Sequence, residues 1–340
     1  MDTPAIPPKE TAPAKPRLAA SIGPHIRSGE TVEKIMWTVS ASLVPAAALS
    51  VYYFGIPALM VLAVSIASCV FFEAVTQKIA GGKITAGDGS AFLTGLLFGM
   101  NLPSGVPLYI PVVGSAVAIV ITKQLFGGLG YNIFNPALIA RAFVVAAFPR
   151  LMTTWPLPAS SLSFATLDAK TGATPLAILK EEGYQKLVEH FANTHSMYAE
   201  MFVGHRGGAL GEVSIVALLL GAAYLLIKRY ISWHIPVSFI ATVAVLTWVF
   251  GGDPVLSMLS GGLVLGAFFM ATDYVTVPQI KKAQVLFGVG CGAITVLIRL
   301  KGGYPEGVCY AILLMNCFTP LLDRALKTRK FGEVKVKVKA

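Results

Sequence analysis

Ten stretches of mostly apolar residues, each close to one helix in length, constrain this chain more than any other feature. They cover 35–54, 57–77, 90–104, 107–125 and 136–149, and then 213–230, 233–250, 254–272, 283–299 and 306–323. A helix crossing a bilayer needs about 20 mostly apolar residues, and fewer where it is broken and packed among others. Several of the ten are short or interrupted by Gly and Pro. Only 13% of the 340 residues are charged and 55% are hydrophobic, whereas a soluble domain carries about 25% charged residues. The sequence predicts an all-α polytopic membrane protein of about ten transmembrane helices.

Five stretches precede the one long polar interruption, 150–212, and five follow it. The two halves resemble each other internally. "LTGLLFGMNLPSGVPLYIPVVGSAVAIVITKQLFGGLGYN" in the first is answered by "LSGGLVLGAFFMATDYVTVPQIKKAQVLFGVGCGAITVLIRLKGGYP" in the second. Each runs from a Gly-rich span through a Pro-bearing turn to a Val/Ile/Ala-rich span and a Gly-Gly loop ending in an aromatic. The next span of each half opens on Pro136 or Glu306. Five is odd, so a repeated five-span unit re-enters the membrane from the opposite side. The expected architecture is two inverted five-helix repeats with broken helices, whose sites lie between the halves. The expected segments are a cytoplasmic N-terminal tail over 1–34, the first repeat over 35–149, an extracytoplasmic segment over 150–212, the second repeat over 213–323 and a basic cytoplasmic tail over 324–340.

The first 34 residues contain no apolar run, so no cleavable signal peptide is expected. The net charge of +10 lies largely at the chain ends beside membrane spans, which fits topology and anionic lipid and argues against nucleic acid. Lys78, Lys83, Lys228, Arg229, Lys281 and Lys282 all fall on the side of the two basic termini, which is therefore predicted to be cytoplasmic. Arg299 and Lys301 are the exceptions. On this reading 150–212 lies outside. Cys69, Cys291, Cys309 and Cys317 sit inside apolar segments without CxxC spacing and read as small core residues.

Within the polar interruption, "DAKTGATPLAIL" at 168–179 places a hydroxyl, Thr174, before a proline. Thr at the N-cap with Pro at the first helical position is a good helix start. Leu176, Leu179, Leu187 and Phe191 then recur at roughly helical spacing, which predicts one or two amphipathic helices on the membrane surface. A helix N-terminus also favours a phosphate, and small neighbours at Gly172 and Ala173 would leave the hydroxyl uncovered. No activating base is evident beside Thr174, so it reads as an acceptor of a modification and a poor catalytic nucleophile.

The segment "TGATPL" resembles the flavinylation motif of the membrane subunits RnfD and NqrB, in which the last threonine carries FMN through a phosphoester bond. The similarity continues through "DGSAFLTGLLFGMNLP", "GGLGYNIFNPALIARAF", "FFMATDYVTVPQ" and "GGYPEGVCYAILLMN". Chain length is closer to the RnfD type. Thr171 stands where the common pattern has Ser or Asp, a departure that leaves the acceptor threonine untouched. The resemblance implies covalent FMN on Thr174, with Thr171, Gly172 and Ala173 completing the motif. It implies a flavoprotein subunit, part of an enzyme and not a complete one, that relays electrons within an Rnf-type complex. That assembly passes electrons between reduced ferredoxin and NAD and couples them to Na⁺ or H⁺ movement across a bacterial inner (cytoplasmic) membrane. The partners implied are RnfA, RnfB, RnfC, RnfE and RnfG, together with a flavin transferase for maturation. NqrB relatives also hold a non-covalent riboflavin, so the resemblance admits a second flavin. The alternatives are an NqrB-like subunit serving quinone reduction and, from another class, a small-solute channel or transporter built on the same inverted repeat.

Ionisable groups at membrane depth cost about 2.5–3.5 kcal/mol on insertion scales and are functional candidates. Arg141, in the fifth span, suits either an acidic partner or the pyrimidine carbonyls of a flavin, and Asn135, which precedes it at the start of that span, is a further cofactor-binding candidate. Asp88 and Asp273 stand at corresponding breaks, where each suits a helix cap or an approach to an ion or flavin. Glu73, late in the second span, is expected to snorkel to water, and Glu306 to satisfy the dipole of the last span. The Gly-Gly loops at 127–128 and 302–303 follow no strand and so lack the context of a nucleotide loop. His190 and His195 lie five apart, outside the i, i+4 geometry of a helical metal pair, and read as surface residues.

Overall fold

The structure, a computed structural model, describes residues 29–327 apart from Lys83, 159–170, Ala192, His205, Arg206 and Pro305. Most of the two expected tails, and Lys83, therefore lie outside the described residues. From Val32 onward the described residues belong to one compact unit.

The first half comprises α1 (Val32–Phe54), α2 (Ile56–Ile79), a 3-10 turn at Ala86–Asp88, α3 (Ser90–Met100), α4 (Tyr109–Ala116) running on as π-helical turns over Val117–Gln124, and α5 (Pro136–Ala147). The middle contains α6 (Pro149–Met152), β1 (Trp155–Pro156), β2 (Thr171–Gly172), α7 (Pro175–Glu181), α8 (Tyr184–His190) and α9 (Thr194–Val203). After a 3-10 turn at Leu210–Glu212 come α10 (Ile215–Ile227), α11 (His234–Val249), α12 (Pro254–Leu259), α13 (Leu263–Leu265) with a π-helical continuation over Gly266–Met270, α14 (Lys281–Lys301) and α15 (Val308–Ala325). Every apolar stretch predicted from the sequence is occupied by helix. Helices α1, α2, α14 and α15 are each long and apolar enough to cross a membrane, and five shorter apolar helices accompany them. The chain is an all-helical membrane protein whose described strands are one two-residue antiparallel pair.

Three helices start by the same local rule, a capping side chain followed by proline. Asn135 accepts from the backbone N–H groups of Ala137 and Leu138, Thr174 from Ala177, and Asp253 from Val255 and Leu256. Proline at the first helical position forfeits an N–H that would have had no partner there. The interruption between α12 and α13 falls at Ser260-Gly261-Gly262.

Packing follows the same plan in each half. α2 lies on α3 and α4 in the first, and α11 lies on α12 and α14 in the second. The halves meet where α1 packs on α10 and α5 on α15. Without a hydrophobic drive between helices in lipid, close approach of small residues supplies much of the attraction. Gly95 shows how close: a Cβ there would come within 2.6 Å of the Ile66 Cα on α2.

The polar interruption forms three short helices, more than the one or two expected. Their shared core is Ile178, Leu187, Phe191, Met197 and Met201, closed by Leu256 from α12. This small domain is thus keyed to the break in α12. Leu176 packs separately, with its Cδ1 3.1 Å from the place a Cβ on Gly261 would take. The exposed positions of His190 and His195 agree with a surface role.

Candidate functional site

Thr174 caps α7 as expected, its Oγ1 accepting from Ala177 N at 3.2 Å. One expectation fails here. The small neighbours do not uncover the hydroxyl, because Thr174 is only 4% exposed. Ala173 is exposed, while β2 is held to β1 with Gly172 opposite Trp155 and Thr171 opposite Pro156. Gly172 sits so close to Leu157 that a Cβ would meet its Cδ2 at 2.8 Å. The helix dipole also offers less than expected, since α7 has only seven residues and one of its free N–H groups is already taken by Thr174 itself.

What the tertiary structure adds is a cavity of about 470 Å³ against the flank of the motif, within the roughly 300–1,000 Å³ typical of ligand pockets. Ala173 and Ala177 line it on the α7 side, and Trp155, Tyr304 and Tyr310 give it aromatic walls. The two tyrosines stack with ring centroids 6.1 Å apart and planes 27° off parallel. Arg141, Glu306 and Cys309 supply polar groups from α5 and from the start of α15. A flat aromatic slot with one guanidinium in its wall suits a planar heterocycle whose rim carries hydrogen-bond acceptors.

Arg141 is 8% exposed and held from two sides. Its Nη2 bonds Glu306 Oε2, and its Nη1 donates to Asn101 Oδ1 at 2.7 Å. The ion pair considered from the sequence therefore exists, and the same guanidinium also borders the cavity. Glu306 does more than satisfy a dipole. Glu212, which sequence reasoning missed, is buried nearby. A Cβ on Gly262 would lie 3.3 Å from Glu212 Oε1 and 3.8 Å from Arg141 Nη1, so the helix break lets both charges approach. Its only signal in the sequence is an acidic residue bordering an apolar run. On α14, Arg299 donates to Ser257 O at 2.7 Å, to Ser257 Oγ at 2.9 Å and to Ser260 O at 3.0 Å. It serves carbonyls left free where α12 ends.

The segment from α7 to α9 is tied down near the cavity. Lys180 donates to the carbonyls of Gly302 and Tyr304, and the hydroxyls of Tyr184 and Tyr198 converge on Asp253. Burial, then the bond to Asp253, pushes the Tyr198 phenol above its ordinary range.

The remaining sequence candidates lie elsewhere. Asn135 and Asp273 share a small cleft of about 70 Å³ with Ser90 and Lys123. Asn135 Nδ2 also donates to Met270 O at 3.3 Å, which ties α5 to the second half. Asp88 acts as a cap, its Oδ1 accepting from Ser90 N at 2.8 Å and Ser90 Oγ at 2.6 Å. Asp273 accepts from Thr276 Oγ1 at 3.2 Å. Glu73 contradicts its expected snorkelling. It is 1% exposed and pairs with Lys123 Nζ at 2.7 Å, because the π-helical turns after α4 bring that lysine inward. Of the cysteines, Cys69, Cys291 and Cys309 are buried, while Cys317 is exposed.

Comparison with known proteins matches residues 19–332 to the NQR2, RnfD, RnfE family. The D component of the proton-translocating ferredoxin:NAD(+) oxidoreductase complex of Clostridium ljungdahlii is 53% identical over 319 residues, covering 92% of this chain and 95% of the relative. The D component of the Na(+)-translocating ferredoxin:NAD(+) oxidoreductase complex of Acetobacterium woodii is 46% identical, with 95% and 98% covered. The D component of the ion-translocating oxidoreductase complex of Stutzerimonas stutzeri is 40% identical, with 89% and 92% covered. A match over nearly the whole length, with relatives of this identity, places the chain in the NQR2, RnfD, RnfE family.

Proposed function

We propose that this chain is the membrane flavoprotein subunit of an ion-translocating ferredoxin:NAD oxidoreductase complex, carrying FMN on Thr174 and relaying electrons between partner subunits. The observation that carries the proposal is the aromatic cavity lying against both small residues, Ala173 and Ala177, that flank the acceptor. When bound, a flavin supplies one- and two-electron transfer. This chain's own residues do the rest. Thr174 tethers, Trp155 with Tyr304 and Tyr310 offers flat aromatic walls, and Arg141 holds positive charge at the cavity edge. Asn101 and Glu306 fix that guanidinium in place. The relatives at 53% and 46% identity bear names with ferredoxin and NAD, which favours this reading over a quinone-reducing one. Their names differ in the ion, so the proposal concerns the electron relay and leaves the ion open.

The proposal includes a bacterial cytoplasmic membrane, RnfA, RnfB, RnfC, RnfE and RnfG as partners, and a transferase that attaches the flavin. It also includes ten spans in two inverted repeats, with both termini cytoplasmic and Thr174 outside. The parallel packing of α2 with α3 and α4, and of α11 with α12 and α14, supports the repeat. The internal engagement of Arg299 supports the sidedness, since a cation consumed by backbone carbonyls casts no vote on topology.

The test is direct. In cells that express the transferase, the denatured band fluoresces yellow-green under ultraviolet light, and Thr174→Val is dark while remaining in the membrane. A dark wild-type band overturns the proposal.

A further inference from the structure

We infer that Thr174 is modified only while α7 is undocked, so that flavin attachment precedes, or interrupts, the final seating of residues 171–181. This rests on the reading of Thr174 as the flavin acceptor and concerns how that acceptor is reached.

Three observations carry it. The acceptor residue is 4% exposed, whereas a transferase must bring a phosphorus atom and its own base to the hydroxyl. The oxygen is already engaged, accepting from Ala177 N at 3.2 Å. The chain is anchored on both sides of it. Before Thr174, β2 pairs with β1 and Gly172 abuts Leu157. After it, Pro175, Leu176 and Ile178 are buried, Leu176 packs on Gly261, and Lys180 grips the carbonyls of Gly302 and Tyr304. Rotation of one side chain does not free a hydroxyl held this way. The segment must lift.

Lifting is a local opening of a small satellite core, well below the cost of global unfolding. In the open state Thr174 Oγ attacks the flavin-side phosphorus of a flavin dinucleotide. The new bond is Oγ–P, the bond that breaks is the pyrophosphate P–O, and a nucleoside monophosphate leaves. The hydroxyl proton passes to a base on the transferase. When α7 reseats, Ala173 and Ala177 return to the wall of the 470 Å³ cavity, and docking carries the flavin on the adjacent Thr174 toward it. One motion then provides access for the enzyme and closure around the product.

The experiment uses full-length protein in membranes from cells lacking the transferase, to which purified transferase and flavin adenine dinucleotide are added. Covalent fluorescence of the denatured band is followed in time. The labelling rate of the wild type is expected to level off as transferase is raised, because opening becomes limiting. Leu176→Ala, which loosens the buried anchor, should raise that plateau about tenfold or more. Lys180→Ala, a change at an exposed side chain that does not threaten folding, should raise it about threefold. Wild-type labelling that stays proportional to transferase and matches both variants overturns the inference. Failure of every form to take flavin, including detergent-unfolded chain, overturns the reading of Thr174 itself.

Discussion

Glu73 and Lys123 meet 2.7 Å apart, almost without solvent, so a single substitution at either is costly. Removing one member of a buried pair strands the other charge, typically at about 3–5 kcal/mol, whereas removing both is often nearly neutral. Lys123→Met should therefore destabilise the detergent-solubilised protein by about 3 kcal/mol, and Glu73→Gln combined with Lys123→Met by clearly less. Equal losses in denaturant unfolding would show that charge pairing is not the cause. Thr174 illustrates what residue-level reading captures. Its backbone role as a cap was legible, because capping depends on the next three residues alone. Its burial was not, because Leu157, Gly261 and Tyr304, which shape its surroundings, are distant in the chain. Arg141 makes the same point, as its partner Glu306 lies 165 positions away.

At the scale of elements, the break between α12 and α13 organises the surroundings of α7 and α14. It admits Glu212 and Arg141 at Gly262, receives Leu176 at Gly261 and leaves carbonyls that Arg299 satisfies. Arg299→Met should cost about 2–3 kcal/mol through orphaned acceptors. Arg299→Lys should recover only part of this, since an ammonium cannot span both carbonyls as the planar fork does. An unchanged unfolding midpoint in Arg299→Met would refute the role. Helix positions and starts were readable, since apolar run length and the cap-then-proline pairs at 135–136, 174–175 and 253–254 are local signals. The π-helical turns after α4 and α13 were not. Their wider turns are stabilised by neighbouring helices, and the burial of Lys123 on one of them has no local signal.

The whole molecule is a helical membrane protein of two similarly packed halves with a small helical domain, α7–α9, seated on the second. If both termini are cytoplasmic, a membrane-impermeant maleimide applied to intact cells should label Asn193→Cys and spare Lys228→Cys and Lys281→Cys until the membrane is opened. Each variant is made with the exposed Cys317 replaced by serine. The reverse pattern would invert the topology. The all-helical membrane class, the position of the apolar helices, their capped starts and the motif ending on Thr174 are all written in the linear chain. They follow from bilayer thickness and from hydrogen bonds within a few residues. Which charges pair, that Thr174 is covered and that an aromatic cavity lies beside it emerge only in the folded molecule. Those depend on side chains from 50 positions apart at Glu73 and Lys123 to 165 at Arg141 and Glu306, brought together by helix packing that no local pattern encodes.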